Sequence, residues 1–208
     1  MPVEGPQYPV NLVLTGRRCL VVGGGRVAAR KVEGLVAAGA EVTVVAPAVA
    51  VEITALGVTV EEREYEAGEA AGYHLVVTAT GSRAVIQAVY DAAEAARVWV
   101  NSADDPERCS FTLPAVVRRG PLMVTVSTGG HSPAVASWLR GRLERELGPE
   151  YETLVAMLSE QRRTLQAEGR STEGLNWQSA LDSDMLDLIR EGRIPEAWER
   201  LKACLSSS

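Results

Sequence analysis

The sequence predicts an α/β fold, a doubly wound parallel sheet followed by a linking segment and a small helical domain. Three observations predict it. Short Val- and Leu-rich runs alternate with Ala-rich helical stretches through the first half, a glycine cluster joins the first such run to the first helix, and beyond Glu150 the chain reads as helix alone. Strands regularly separated by helices imply right-handed crossovers and a parallel sheet covered on both faces.

The elements follow in order. RCLVV predicts a strand over 18–22, and the Ala-rich stretch after the glycines a helix over 27–38. Gly39 stands where a helix C-terminus favours a residue free to take positive φ. EVTVV is a second strand over 41–45, and 57–62 reads as a third. A fourth strand is expected over 74–78, a helix over 83–97 and a fifth strand over 98–100. The rhythm then changes. FTLPAVVRRGPLMVTVST holds two β-like runs split by Arg119-Gly120-Pro121, a turn between strands. A helix over 132–147 carries Pro133 in its first turn, where its missing N–H costs nothing, and Gly148-Pro149 stops it. Helices are expected over 151–167, 177–190 and 195–205. The domains are therefore read as 1–113, 114–148 and 149–208.

Composition narrows the function. With 46% hydrophobic and 23% charged residues in 208, the chain can bury a sizeable core. A net charge of -6 argues against a nucleic-acid binder, which normally shows a basic face. Cys19, Cys109 and Cys204 are odd in number and widely spaced, matching no disulfide framework and no zinc spacing. Reduced thiols point to the cytoplasm. No signal peptide is read at the start, and no uncharged apolar run of about 18 residues suggests a membrane span.

The segment Gly23-Gly24-Gly25-Arg26-Val27-Ala28 satisfies G-x-G-x-x-A directly after a strand and at the start of a helix. The first glycine permits the tight turn, the second admits a pyrophosphate, and the small last residue lets helix and strand pack closely. Free N–H groups at the helix N-terminus then meet phosphate charge. This makes the sheet Rossmann-like; a tight turn without a ligand is the bland alternative. The second strand ends Val44-Val45-Ala46-Pro47, where an Asp or Glu would ordinarily accept the ribose hydroxyls. Backbone groups at Ala46 and Pro47, or polar residues such as Thr80 and Ser82, are left to hold it. Thr80 and Gly81 follow the fourth strand, at the edge where open α/β sheets bind ligands. The alternative there is an ordinary loop with Ser82 capping the next helix.

Asn101-Ser102-Ala103-Asp104-Asp105-Pro106 brings carboxylates to the same edge. Asp104 is the candidate to remove a proton as hydride leaves a substrate, or to accept protons and ligate a metal; Asp before Pro is also a common turn former.

YPVNLVLTGRRCLVVGGGRVAARKVEGL and VNSADDPERCSFTLPAVVRRGPLMVTVSTGGHSPAVASWLRGRLE together resemble the precorrin-2 dehydrogenase / sirohydrochlorin ferrochelatase family, over roughly residues 8–150. The Asn-x-x-Asp loop, Ser-Phe and Gly-Gly-x-Ser-Pro occur in order, and the family likewise tends to lack the acid after its second strand. The resemblance implies NAD-dependent oxidation of precorrin-2 to sirohydrochlorin. It leaves open whether ferrous iron is then inserted to give siroheme. It further implies a homodimer with 114–148 as its dimerisation region, Asp104 as the base, and a substrate site at Asn101, Ser127, Thr128, Gly129, Gly130 and His131. NAD is expected at Gly23, Gly24, Gly25, Arg26, Val27, Ala46, Pro47, Thr80 and Gly81. No metal ligands are assigned, because no Cys/His cluster exists. Precorrin-2 is rich in carboxylates, so Arg118, Arg119, Arg140 and Arg142 are candidates to hold them, with surface charge or dimer ion pairs as the plainer reading of each. His131 is a proton-transfer group, a metal ligand or an ordinary loop histidine, the last being the plainer reading.

Two other classes compete. A non-catalytic dinucleotide-sensing module would usually keep the acid after the second strand, and would not need residues 101–110 or 128–133. An unrelated NAD(P) oxidoreductase would show a His, Lys or Tyr catalytic set, and the chain has only His74 and His131.

Overall fold

The computed structural model describes residues 5–103 and 105–206. They divide between two compact units: the first runs to Leu113 and takes in Gly129–His131, the second holds Pro114–Thr128 and the chain from Ser132 on.

The first unit contains the expected sheet. Strands β1 (Arg18–Val22), β2 (Glu41–Val45), β3 (Thr59–Glu61), β4 (Leu75–Thr78) and β5 (Trp99–Ser102) stand in the order β3-β2-β1-β4-β5. Every neighbouring pair is parallel. The order reverses beside β1, which places a crevice outside the C-terminal ends of β1 and β4. Helices α1 (Arg26–Ala37) and α2 (Val51–Thr54) cover one face, where Ala28, Ala29, Val32, Leu35 and Ile53 meet Cys19, Val21, Val42, Val44, Leu75 and Val77. Helix α3 (Arg83–Ala96) covers the other, where Val89 and Ala93 meet Leu20, Val22, Val45, Val76 and Val100. Successive strand residues point to opposite faces, and both faces of the central strands β1 and β4 are buried. These two therefore read as apolar runs, CLVV and LVV, rather than as alternation.

Helix ends follow the chain's local chemistry. Gly39 adopts φ 76° and donates to the Val36 carbonyl at 2.9 Å, closing α1. Ser82 caps α3 by accepting from the Val85 amide. The third strand is shorter than expected, and the fifth begins and ends one or two residues later.

In the second unit, β6 (Ala115–Arg119) and β7 (Leu122–Val126) form an antiparallel hairpin turned at Gly120-Pro121. Helix α4 (Pro133–Glu146) packs on it, capped by the Ser132 hydroxyl. Between 114 and 147 only Val117 and Ala136 are buried. Helices α5 (Glu150–Ala167), α6 (Trp177–Leu181), α7 (Met185–Arg190) and α8 (Ile194–Ser206) enclose a separate core of Leu154, Met157, Leu165, Met185 and Leu201. The single helix expected over 177–190 is in fact two. Ser183 breaks it by donating to the Ala180 carbonyl and accepting from the Met185 amide, a local bond that competes with the helix ladder.

Among the described residues no helix is long and apolar enough to cross a membrane, and no cluster of three His, Cys, Asp or Glu could hold a metal ion.

Candidate active site

The candidate site is built on the C-terminal edge of the parallel sheet, where Val22, Val45, Thr78 and Ser102 are register partners across four strands.

The turn after β1 is shaped by what each glycine faces. Gly23 takes φ 130°, and a Cβ there would lie 2.3 Å from the Ala79 carbonyl oxygen. Gly24 is pressed against the segment after β2: its Cβ would meet the Ala48 oxygen at 2.0 Å and the Ala46 Cβ at 3.0 Å. The Ala50 amide, in turn, donates to the Gly24 carbonyl at 2.8 Å. Gly25 is the exception, because a Cβ there would enter open space. It is the N-cap of α1, with no side-chain cap and no acidic residue in the first turn. Ala28 is fully buried beneath. Two glycines thus seat the turn between neighbouring loops. The third leaves an exposed approach to helix N–H groups, a cradle suited to a pyrophosphate. Arg26 is exposed and Val27 half-buried beside it.

At the end of β2, Ala46 is buried and its amide donates to the Glu61 carbonyl, while Pro47 is exposed. Neither side chain offers a polar group to a ribose. Just past β3, Arg63 pairs with both Glu61 and Glu69 and also donates to the Glu64 carbonyl. Burial pushes the Glu69 carboxyl up, but Arg63 and the Glu66 amide outweigh it and hold it below the ordinary range.

After β4, the Thr80 hydroxyl accepts from the Ser82 amide and Gly81 is exposed. Two residues within the segments singled out from the sequence, but not assigned to the site there, lie at this edge. The Thr78 and Ser102 hydroxyls are buried and have no hydrogen-bond partner among the described residues. As register partners on adjacent parallel strands they share a face. Unpaired buried hydroxyls are costly and uncommon, and here they coincide with the ligand-binding edge. For Thr78, a polar residue at the last position of an otherwise apolar strand was the sequence signal; Ser102 follows Asn101 at the end of β5.

Asp104, the expected base, lies outside the described residues. The turn around it is densely bonded. Asn101 is buried, and its Nδ2 donates to the Phe111 carbonyl at 3.0 Å and to Cys109 Sγ at 3.5 Å. Cys109 Sγ also accepts from the Ser102 amide at 3.2 Å and lies 3.4 and 3.3 Å from the Ser102 and Asp105 carbonyls. Burial pushes the Cys109 thiol up, against the pull of the Ser102 amide, so it stays a neutral S–H donor. Ser110 lies along β5: its amide donates to the Val100 carbonyl and its hydroxyl accepts from the Val100 amide.

The glycine-rich segment 127–131 is divided between the units. Ser127 and Thr128 belong to the second, where Thr128 Oγ1 accepts from the Ser132 amide at 3.0 Å. Gly129, Gly130 and His131 belong to the first. Gly129 and Gly130 take φ 59° and 82°, and His131 is exposed. In that unit Gln7 accepts from Thr112 Oγ1 at 3.3 Å.

The four arginines differ in how they are engaged. Arg119 directs Nε to the Leu147 carbonyl and Nη2 to the Glu144 carbonyl, satisfying the end of α4. Arg140 pairs with Glu144 one turn on, and Arg142 lies over the Trp138 ring at 5.2 Å. Arg118 is exposed.

Residues 10–115 match a family model described as putative NAD(P)-binding, and residues 119–146 match one for the central part of a sirohaem biosynthesis protein. A siroheme synthase of Methylococcus capsulatus is 39% identical over 196 residues, covering 91% of this chain and 41% of the relative. One from Nitrosococcus oceani is 36% identical over 206 residues, covering 96% and 44%. The chain thus spans about two fifths of the length of these curated relatives. A solved structure titled SirC, precorrin-2 dehydrogenase aligns with a TM-score of 0.70 at 27% identity, over 95% of this chain and 98% of that one.

Proposed function

Because this chain belongs to the precorrin-2 dehydrogenase / sirohydrochlorin ferrochelatase family, we propose that it oxidises precorrin-2 to sirohydrochlorin, with NAD as the hydride acceptor. The observation that carries the reading is the cradle at Gly23–Gly25: two glycines held by contact and a third open over an uncapped helix N-terminus. Its likeness to a solved precorrin-2 dehydrogenase over nearly the whole of both chains indicates which oxidation it serves.

NAD, when bound, supplies a nicotinamide that takes up the hydride. The chain's own residues do the rest. The N–H groups at the start of α1 meet the pyrophosphate, while the absence of an acid at Ala46 and Pro47 leaves the ribose to backbone groups. The Thr78 and Ser102 hydroxyls are available donors at the same edge. Loss of a hydride from precorrin-2 also requires loss of a proton, and Asp104 is proposed to take it. Asn101 serves this turn by holding the Phe111 carbonyl. Thr128, Gly129, Gly130 and His131, with Ser127, are proposed to face the tetrapyrrole. Of the arginines, Arg118 is proposed to meet its carboxylates, since Arg119, Arg140 and Arg142 are engaged within their own unit.

The name siroheme synthase borne by the relatives supports a second proposal, ferrous iron insertion into sirohydrochlorin with iron as a substrate. We also propose a homodimer formed through 114–148, with 149–208 as a helical domain. A lone two-stranded hairpin is marginal in water, and the segment 114–147 buries only Val117 and Ala136 by itself. Three free cysteines suit a reducing, cytoplasmic setting.

Purified protein given NAD and fresh precorrin-2 without oxygen should form NADH and the sirohydrochlorin spectrum together. NAD binding without turnover would instead identify a dinucleotide-sensing module. Sirohydrochlorin with ferrous iron should give siroheme faster than an enzyme-free control; equal rates would leave a dehydrogenase alone.

A further inference from the structure

The turn from Ser102 to Cys109 is fastened to the sheet at both ends, through the Ala103 amide to the Thr78 carbonyl at 2.8 Å and through Ser110 to Val100. Its middle is fastened differently, by a chain of side chains that starts on α3. Gln87 Nε2 donates to Asp91 Oδ1, one helical turn along, at 2.7 Å. An amide has one donor end and one acceptor end, so this bond turns Gln87 Oε1 outward. Arg108 Nε donates to that oxygen at 2.7 Å, and Arg108 Nη1 donates to Asp105 Oδ2 at 2.8 Å. The planar guanidinium is what allows one side chain to face two acceptors in different directions; an ammonium group has no such fixed fork. Alone, the Arg108–Asp105 pair, three residues apart, would only staple the turn to itself. The Gln87 contact, across 21 residues of sequence, refers the turn to the scaffold.

We propose that Arg108, acting through Gln87 and Asp105, is a positioning residue for proton removal. It fixes the residue after Asp104 to α3, as the Ala103 amide fixes the residue before it to β4. The inference rests on the reading of Asp104 as the base. Arg108 and Asp105 keep about a third and a quarter of their side-chain surface exposed, 32% and 23%, so their pairing contributes little to stability. Its effect is on geometry, where displacements near an ångström can cost about a hundredfold in rate.

The test uses Arg108→Gln, Gln87→Leu, Asp104→Ala and the double variant Asp104→Ala/Arg108→Gln, each assayed for single-turnover NADH formation, KM for precorrin-2, NAD affinity by fluorescence titration and thermal midpoint. Arg108→Gln and Gln87→Leu should each lower the rate about tenfold, with KM, NAD affinity and midpoint near wild type. In the Asp104→Ala background, Arg108→Gln should change the residual rate no further, because its effect runs through Asp104. A wild-type rate in Arg108→Gln beside a disabled Asp104→Ala overturns the clamp and leaves the base standing. So does a second, multiplicative loss in the double variant. A wild-type rate in Asp104→Ala overturns the base itself, and the clamp with it. Should Arg108→Gln fold poorly, Gln87→Leu decides the question from the other end of the bond.

Discussion

Adjacent glycines in the cradle should respond in opposite ways to the same small change. In Gly24→Ala the new Cβ would lie 2.0 Å from the Ala48 carbonyl oxygen. Ordinary contact begins near 3.4 Å, so backbone on one side or the other must retreat by about 1.4 Å. Both sides are tied, since the Ala50 amide bonds the Gly24 carbonyl. Overpacking of this kind costs about 1–3 kcal/mol, or a fall in thermal midpoint on the order of 5–10 °C for a unit of this size. Gly25→Ala meets nothing within 4 Å, and φ at Gly25 is −87°, which alanine adopts freely. The gain from a stiffer unfolded chain, about 0.4–1 kcal/mol, is offset by a similar loss when alanine replaces glycine at an N-cap. The midpoint should therefore stay within about 2 °C, while NAD affinity falls at least about tenfold because the methyl occupies the pyrophosphate approach. Calorimetric unfolding and isothermal titration with NAD would measure both effects. Wild-type NAD affinity in Gly25→Ala would refute the placement of the pyrophosphate, and an unshifted midpoint in Gly24→Ala would refute the clamp by Ala48.

Three further outcomes are expected. Burial pushes the Cys19 thiol from 9.0 up to about 11. The folded state thus holds this proton more tightly than the unfolded state, and the associated stability, roughly 2–3 kcal/mol at most, is present below pH 9 and lost on rising to pH 11. Urea midpoints of wild type and Cys19→Ala across that range should converge as pH rises, and a constant difference would count against the buried thiol as the cause. Thr78→Val removes a buried hydroxyl that has no partner among the described residues and should leave the ligand-free protein as stable or about 1 kcal/mol more so; marked destabilisation in a melting assay would reveal a bond the hydroxyl does make. Arg119→Ala should cost about 1–2 kcal/mol by freeing the last carbonyls of α4 while KM for precorrin-2 is unchanged. A raised KM with wild-type stability would return Arg119 to the substrate.

Much of the first unit was legible in the sequence because its signals are local. The apolar runs 18–22 and 41–45 need burial on both faces, and Gly39 and Ser82 end and begin helices by rules that involve only their neighbours. The cradle was legible for the same reason, but Gly24 was not. Its role comes from Ala48, which the parallel pairing of β1 with β2 brings near. Asn101 was placed in the substrate site by the family resemblance, yet its bond to the Phe111 carbonyl depends on the chain turning back along β5. The Gln87–Arg108 contact is likewise invisible until α3 and the 102–109 turn share one side of the sheet. In the helical segment, Asp182-Ser183-Asp184 carried the break between α6 and α7, but the apolar spacing on either side read as continuous.

The way the chain returns along β5 also bears on self-association. An open parallel sheet has two edge strands, and each exposes unpaired amides and carbonyls that another chain can extend. At one edge β3 is only three residues long and is followed by the ion-paired Arg63. At the other, the Val100 amide and carbonyl are taken by Ser110 and the Ser102 amide by Cys109. A hydroxyl and a thiol thus stand in for a sixth strand. The segment that brackets the proposed base is also the seal on an aggregation-prone edge. Substitutions at Ser110 or Cys109 chosen to probe catalysis should therefore raise the tendency of the protein to form intermolecular β-structure.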